Sequence, residues 1–397
     1  MKRRLSMLFL ISLLAFAFIV AGCSSGTSTN VSSPSGGQED NSQEQSGEAT
    51  AGLPKQMTWS TYDVGSSGYA DIAAVANALT STYGTQIRLL PSGTGVGRMM
   101  PLKDGTASFG RLGDESYFAF EGEYEFGAPG WGPQDMRIVW PVKTFLGLAV
   151  RADSDIQTPA DLKGKKVPWV TANPSIYKKV EAALAFAGLT WDDVQRVDVP
   201  SYAAQADALK NGQIDAAFMI NTAAAMYEVD SSVGIRWIDM PASDTEGWQR
   251  FQAVTPWVTP GQDSRGAGLK EGETKDFMSY VYPMAAYASV DADTVYELVK
   301  AIVETYDQYK DATPALVDWA EDNIELMPAG VPYHEGLVRY LKEKGLWTDE
   351  AEAKNNELIE RSKKLKEAWE EFVNQAQGIG EQEFADKWLE WKQQHVQ

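Results

Sequence analysis

The chain has 397 residues and a formal net charge of −20 at pH 7, because 55 acidic residues outnumber 35 basic ones. This acidity argues against nucleic acid and anionic lipid surfaces as partners. A single cysteine, Cys23, excludes a disulfide framework, a cysteine zinc site and a cysteine nucleophile in the folded body.

The N-terminus has the pattern of an export signal. Basic residues at positions 2–4 precede an apolar run from Met7 to Ala21, and roughly 15 apolar residues are typical of a signal peptide and short for a membrane span. The aliphatic-small-small-Cys sequence at positions 20–23 resembles the bacterial lipobox. That resemblance implies that residues 1–22 are a lipoprotein signal peptide and that Cys23 carries acyl chains anchoring the protein to the bilayer. The alternative is a secreted protein with an incidental cysteine.

Residues 23–55 are rich in Ser, Gly, Thr, Gln and Glu, a composition typical of a flexible tether. The remaining length exceeds that of one ordinary hydrophobic core and predicts two lobes. We assign residues 56–145 and 236–345 to lobe 1, 146–235 to lobe 2, and 346–397 to C-terminal helices.

The first part of the folded body alternates strand, glycine-rich turn and helix. Strands are predicted over 57–61, 86–90 and 107–112, separated by helices that follow the turns at 65–69 and 91–95. This βαβ order is typical of a parallel sheet.

Similar alternation follows through the second lobe. Strands are predicted over 137–142, 146–151, 165–170 and 214–220, and helices begin at Thr158, Asn173, Thr190 and Ser201, where residue types suited to capping occur. The chain is then expected to return to lobe 1 with strands over 236–240 and 284–290 and a helix over 293–309. Hinges are expected near 143–150 and 225–240.

Several blocks, taken in order, resemble the TAXI-type solute receptors of TRAP transporters. They are Gly65-Ser66-Ser67-Gly68-Tyr69, Ser92-Gly93-Thr94-Gly95-Val96-Gly97-Arg98, Asp161-Leu162-Lys163-Gly164-Lys165, Ala208-Leu209-Lys210-Asn211-Gly212 and Pro332-Tyr333-His334-Glu335-Gly336. The resemblance implies a two-lobed periplasmic-binding-protein-like (type II) α/β fold with a ligand cleft between the lobes and a helical C-terminal extension. It also implies TRAP-type permease subunits as partners. The 173–176 loop departs from the family's Gly-Ser-Gly-Thr-like sequence, and Arg98 stands where an amide side chain is common.

The turns at 65–69, 92–98 and 173–177 all link a strand end to a helix start, where ligands settle in open α/β sheets. Their hydroxyls and amides, with Arg98 as the candidate cation, would bind a carboxylate, while Tyr69, Tyr177 and Trp257 would clamp the body of the solute. Alternatively, the hydroxyls only cap helices and Arg98 is an exposed helix residue. The predicted ligand-binding residues are Ser66, Ser67, Gly68, Tyr69, Thr94, Gly95, Arg98, Asn173, Ser175, Tyr177, Asn221 and Trp257.

An enzyme is not expected. The two histidines, His334 and His395, lie far apart in the chain, and there is no nucleophile elbow, P-loop, dinucleotide fingerprint or metal-ligand spacing. We therefore predict no cofactor and no metal. The predicted function is that of a monomeric extracytoplasmic receptor for a small organic anion or zwitterion. Two alternatives stay open: the ligand-sensing subunit of an extracytoplasmic sensor, and an ABC-type receptor for a neutral or aromatic solute.

Overall fold

A computed structural model describes residues 52–396. The predicted signal peptide, Cys23 and nearly all of the predicted tether lie outside these residues. Within the described part of the chain, no helix is both long enough and apolar enough to span a membrane.

The first segment contributes four strands and three helices, which end at residue 140. These are β1 (Gln56–Tyr62), α1 (Ser67–Tyr83), β2 (Gln86–Ser92), α2 (Gly95–Lys103), β3 (Phe109–Arg111), α3 (Glu115–Glu121) and β4 (Met136–Trp140).

The middle segment runs from residue 143 to residue 281. Its elements are β5 (Lys143–Arg151), β6 (Lys166–Val170), α4 (Pro174–Phe186), β7 (Gln195–Val199), α5 (Ala204–Lys210), β8 (Ala217–Ile220), α6 (Ala224–Val233), β9 (Ile235–Ile238), α7 (Thr245–Val254), β10 (Thr259–Asp263) and β11 (Lys275–Val281).

The last segment is helical apart from its first strand. It comprises β12 (Met284–Tyr287), α8 (Ala292–Glu304), α9 (Tyr306–Tyr309), α10 (Glu335–Glu343), α11 (Asp349–Gln375) and α12 (Glu381–His395).

Two main sheets organise these elements. The first has the order β2-β1-β3-β12-β4, in which β1 pairs in parallel with β2 and β3, and β12 pairs antiparallel with β3 and β4. The second has the order β10-β11-β5-β8, with β9 also paired to β5, and its pairs are antiparallel. A parallel β6-β7 pair completes the second half.

Each sheet carries its own buried core. Trp59, Leu79, Phe109 and Val139 belong to the core around the first sheet, while residues such as Leu146, Val180 and Phe218 belong to the core around the second. The protein therefore has the predicted two-lobed periplasmic-binding-protein-like (type II) α/β fold, and helices α11 and α12 form the predicted C-terminal extension.

Local capping explains where the helices begin. The side chains of Ser66 and Thr94 accept the amides of Tyr69 and Gly97 at 3.1 and 3.0 Å and so fix the starts of α1 and α2. The predicted capping box at Thr190 is present, because its amide donates to the Asp193 carboxylate at 3.0 Å.

The chain crosses between the sheets at residues 141–142 and again at 282–283. Strands β9, β10 and β11 all pair within the second sheet. The lobe boundaries predicted from the sequence differ, because they place residue 236 onward in lobe 1 and a hinge at 225–240. A short apolar strand pattern does not reveal which sheet the strand joins. The Tyr282 amide donates to the Val142 carbonyl at 2.7 Å, so the two crossings are hydrogen-bonded to each other.

Candidate functional site

The strand ends and helix starts of the two lobes meet at one interface. Its hydrogen bonds run directly from lobe to lobe. Asp63 accepts the Ala203 amide at 3.0 Å, the Gly95 amide donates to the Ala172 carbonyl at 2.9 Å, Asn173 donates to the Gly93 carbonyl at 3.4 Å, and Ser175 accepts the Asp114 amide at 2.9 Å. The predicted turns at 65–69, 92–98 and 173–177 thus lie at or beside the same interface.

Arg98 lies at this interface as a buried ion pair. Its Nε lies 2.6 Å from the Glu115 carboxylate, and both side chains have no exposed surface. Burial lowers the pKa of Arg98, but the Glu115 charge outweighs burial and holds that pKa above its usual range. The guanidinium also stacks on the Tyr62 ring, 3.4 Å from its centroid, and Nη1 donates to the Ser92 carbonyl at 2.9 Å. Only Nη2 has no partner.

This arrangement corrects the expectation that Arg98 is an available cation or an exposed helix residue. Its positive charge is already balanced within lobe 1 by Glu115, which begins the next helix. A ligand carboxylate approaching the buried Nη2 would therefore not meet an unpaired charge.

A second buried ion pair joins the lobes. Lys179, on α4 of lobe 2, donates to the carboxylate of Asp114, which precedes α3 of lobe 1, and the side chains are almost completely buried. Burial raises the pKa of Asp114 and lowers the pKa of Lys179, while their mutual attraction opposes both shifts. The Lys179 Nζ also lies 3.8 Å from the centroid of the Tyr280 ring. Opening the lobes must separate this pair.

Tyrosines surround the two ion pairs. The Tyr62 ring packs edge to face against Tyr202 and Tyr282, with centroids 5.4 and 5.6 Å apart, and its hydroxyl donates to Glu115 at 3.3 Å. A Cβ at Gly68 would overlap the hydroxyl of Tyr282, which explains why the predicted turn has glycine at this position. The result is a buried, polar and aromatic cluster whose paired charges sum to zero.

The other predicted residues are distributed around this cluster. Ser66 and Thr94 cap helices, as the alternative interpretation stated, whereas the buried Ser67 hydroxyl has no partner. Tyr69 follows in α1 and is half-buried. Asn221 lies in lobe 2, where its side chain donates to Asp263 at 3.0 Å and braces a turn.

Tyr177 and Trp257 contact both lobes. The Tyr177 ring stacks on Trp169 of its own lobe at 4.2 Å, and its hydroxyl lies 3.2 Å from the Glu125 carboxylate of lobe 1. Trp257 packs against both hydrophobic cores, and its ring centroid lies 4.2 Å from that of Tyr117.

Trp257 also lines a cavity of about 40 Å³ at the interface, together with Asp114, Tyr117, Ile138 and Tyr333. Ligand pockets typically measure roughly 300–1,000 Å³. This cavity therefore admits a solute of several heavy atoms only if the lobes separate.

Asp114, Glu115, Lys179, Tyr280 and Tyr282 were missed by the sequence analysis. Asp114 and Glu115 follow the third strand of lobe 1, at the same kind of strand end as the predicted turns. Their position at a strand end could therefore have identified these two residues from the sequence. Lys179 lies within a predicted helix, where nothing in the local pattern distinguishes it from a surface lysine.

Backbone strain is concentrated at the interface. Among residues 52–396, the non-glycine residues with positive φ are Tyr124 at 53° and Ala172 at 50°. Such conformations cost on the order of 1–3 kcal/mol and persist where surrounding contacts fix them. The Ala172 carbonyl accepts the lobe 1 amide of Gly95, and the Tyr124 ring packs 6.1 Å from that of Tyr177 in lobe 2.

Another buried charge cluster lies beside the chain crossing at 282–283. The Arg111 guanidinium donates to the Tyr282 carbonyl and stacks on its ring, 3.8 Å from the centroid. Asp71 is buried nearby on α1, and its carboxylate accepts the Thr313 hydroxyl at 2.6 Å. Burial raises the pKa of Asp71 to about 6, with Asp318 also raising it, although Arg111 and Thr313 lower it.

Stability should therefore depend on the protonation of Asp71. Because its folded pKa is raised, the folded state holds a proton that the unfolded state releases between about pH 4 and pH 6, and stability falls as the pH rises through this window. A shift of about two units corresponds to about 3 kcal/mol. We expect the free energy of unfolding of the wild type to fall by that amount relative to Asp71→Asn between pH 4 and pH 7, measured by urea denaturation. Parallel pH profiles for the two proteins would contradict this assignment.

His334, one of the two histidines, has a structural position. Its Nδ1 accepts the Gly336 amide at 3.2 Å at the start of α10, and burial lowers its pKa to about 4. Gly336 itself packs so closely on α8 that a Cβ would lie 2.5 Å from the Ala292 carbonyl oxygen. This contact accounts for the glycine of the Pro-Tyr-His-Glu-Gly block by packing.

Several solved structures are similar to this chain. The aliphatic sulphonate binding protein SsuA from Escherichia coli is 17% identical, with 74% of this chain and 89% of that chain covered and a TM-score of 0.40. The alkanesulfonate-binding protein SsuA from Xanthomonas axonopodis pv. citri, bound to MOPS, is 16% identical over 76% and 96%, with a TM-score of 0.43. The amino acid ABC transporter substrate-binding protein AbpA from Streptococcus pneumoniae, bound to L-arginine, is 16% identical over 68% and 94%, with a TM-score of 0.37.

A protein-family model matches most of the described part of the chain. The model of the NMT1-like family matches residues 61–345, which include the second sheet, the first sheet apart from most of β1, and both chain crossings, and exclude α11 and α12. This chain belongs to the NMT1-like family.

Proposed function

We propose that this protein is an extracytoplasmic receptor that binds a small zwitterionic solute, with a carboxylate and an ammonium group, between its lobes. The observation that carries the proposal is the electroneutral buried cluster at the interface, in which Arg98 pairs with Glu115 and Lys179 pairs with Asp114. Adding a net charge to such a buried, balanced set of groups is costly, whereas a zwitterion leaves the balance unchanged.

The pair that spans the lobes suggests how the solute binds. When the lobes separate, Asp114 remains on lobe 1 and Lys179 on lobe 2. A zwitterion can place its ammonium group on Asp114 and its carboxylate on Lys179, so that closing the lobes pairs every charge. The free Nη2 of Arg98 and the unpartnered Ser67 hydroxyl provide further donors for the carboxylate. The sequence alone allowed an anion or a zwitterion as the solute. The placement of Asp114 and Lys179 on opposite lobes favours the zwitterion.

Binding would close the lobes about the two crossings at 141–142 and 282–283, because a bound solute adds contacts from both lobes at once. These crossings are also the lobe boundaries that we propose. The closed receptor would then deliver its solute to a membrane transporter. The ordered blocks between residues 65 and 345 support a TRAP-type permease, and the lipobox-like sequence supports an acylated Cys23 as the anchor. Two alternatives compete with this proposal. The partner could be a sensor subunit in place of the permease, and the solute could be neutral or aromatic and held by Trp257 and Tyr177.

The proposal is tested on the solute that the protein retains. Mass spectrometry of gently purified protein identifies the bound molecule, and calorimetry then compares it with its methyl ester and its N-acetyl derivative. We expect the parent compound to bind at least about tenfold more tightly than either derivative, because each derivative loses a charge-assisted hydrogen bond worth about 1.5–3 kcal/mol.

Two results would contradict the zwitterion. One is a retained solute that has no carboxylate. The other is an N-acetyl derivative that binds as tightly as its parent, which would show that the site accepts a simple anion.

A further inference from the structure

The C-terminal helices α11 and α12 lie outside the residues matched by the family model, yet they contact the part of lobe 1 that reaches lobe 2. That part is the 121–125 segment, which links α3 to the turn after it. Lys392 on α12 donates to the carboxylates of Glu121 and Glu123, and the Trp388 indole donates to the Gly122 carbonyl at 2.7 Å.

The same segment is anchored from α11. The Arg361 guanidinium binds Glu121 through two hydrogen bonds of 2.6 and 2.7 Å, and the Glu121 side chain is 2% exposed. The extension therefore holds residues 121–123 on both sides through buried or half-buried polar contacts.

The next two residues make the contact with lobe 2. Tyr124 has a positive φ of 53° and packs its ring edge to face against Tyr177, and the Glu125 carboxylate accepts the Tyr177 hydroxyl at 3.2 Å. Strained backbone of this kind persists only where neighbouring contacts fix it. Residues 121–123 are held by contacts from both α12 and α11.

We propose that the C-terminal extension sets the closed geometry of the receptor, with Lys392 as a positioning residue that holds the 121–125 segment against Tyr177. The inference rests on the hinged receptor proposed above and adds a regulator of its closure. Loss of Lys392 should loosen the segment and favour the open lobes without unfolding lobe 1, because Glu121 keeps its bidentate partner Arg361.

The test measures the distance between the lobes. Spin labels are placed at Ser81→Cys on α1 and Glu246→Cys on α7, two exposed positions, in the full chain carrying Cys23→Ser. Pulsed electron paramagnetic resonance then gives the distance distribution for the parent protein and for Lys392→Met, Tyr177→Phe and the double variant. Lys387→Met is the matched control, because Lys387 lies on the same helix and pairs with Glu383 at the surface.

We expect Lys392→Met and Tyr177→Phe each to reduce the population with the shorter distance by about twofold or more, while the thermal unfolding midpoint and the Lys387→Met distribution stay unchanged. The double variant should be no more open than Tyr177→Phe alone, because both changes act on one contact.

Three results would overturn the inference. If Tyr177→Phe opens the lobes and Lys392→Met does not, the extension has no role in closure, and the proposed receptor stands. If the two effects add, Lys392 acts elsewhere. If no variant changes the distribution and saturating retained solute does not either, the lobes do not move and the hinge mechanism fails as well.

Discussion

Replacing Arg98 with alanine is expected to lower the free energy of unfolding by about 3–5 kcal/mol, because Glu115 would remain buried without its counter-charge. Both partners and Tyr62, which also bonds to Glu115, belong to lobe 1. Opening the lobes therefore cannot bring the pair apart, and the cost must appear in the stability of the fold. Urea denaturation followed by circular dichroism measures it.

Two further variants separate charge from packing. Arg98→Met combined with Glu115→Gln removes both charges at similar volume and should recover much of the loss. Lys363→Met, which breaks an exposed pair with Glu360, should cost less than about 1 kcal/mol. An Arg98→Ala protein as stable as the wild type would show that Glu115 is not held in a buried ion pair.

Replacing Lys179 with methionine is expected to have a different outcome, a loss of solute affinity of about 100-fold with little change in unfolding. In the closed form without solute Asp114 would be buried without a partner, and in the solute-bound form the solute carboxylate would lose its counter-charge, each at a cost of about 3 kcal/mol or more. Since the two residues belong to different lobes, opening returns Asp114 to water and avoids that cost. Calorimetry with the retained solute and the radius of gyration from solution scattering report the two effects.

The matched control is Lys210→Met, in which an exposed ion pair with Asp207 within one helix of lobe 2 is removed. It should leave both affinity and radius unchanged. If Lys179→Met instead lowers the unfolding midpoint strongly while the radius stays constant, the lobes form one rigid body and the proposed closing movement is wrong.

The elements of the fold could be predicted because their signals are local. Ser66 fixes the start of α1, and Thr94 fixes the start of α2. The capping box at Thr190 is completed by Asp193, three residues later. In each case the residue that causes the structure lies within one helical turn of it. The pairing of β9 and β11 with β5 could not be predicted, since it depends on residues more than 80 positions apart meeting in space.

The site was predicted in part for the same reason. The turns at 65–69, 92–98 and 173–177 carry their own glycine and hydroxyl pattern. In contrast, Arg98 is paired by Glu115 and Lys179 by Asp114, and these partners lie 17 and 65 positions away in the sequence. Sequence patterns identify which groups are available, but only the folded interface shows which of them are already paired.

The two crossings between the lobes share one further property. Each contains a proline, Pro141 in the first and Pro283 in the second. Proline fixes its own φ near −65° and restrains the residue before it to extended conformations, and the 2.7 Å hydrogen bond from Tyr282 to Val142 ties the crossings together. In the open state that we propose, the lobes could therefore sample few relative orientations. The conformational entropy lost on closure is correspondingly small, so that more of the interaction energy of the solute appears as affinity.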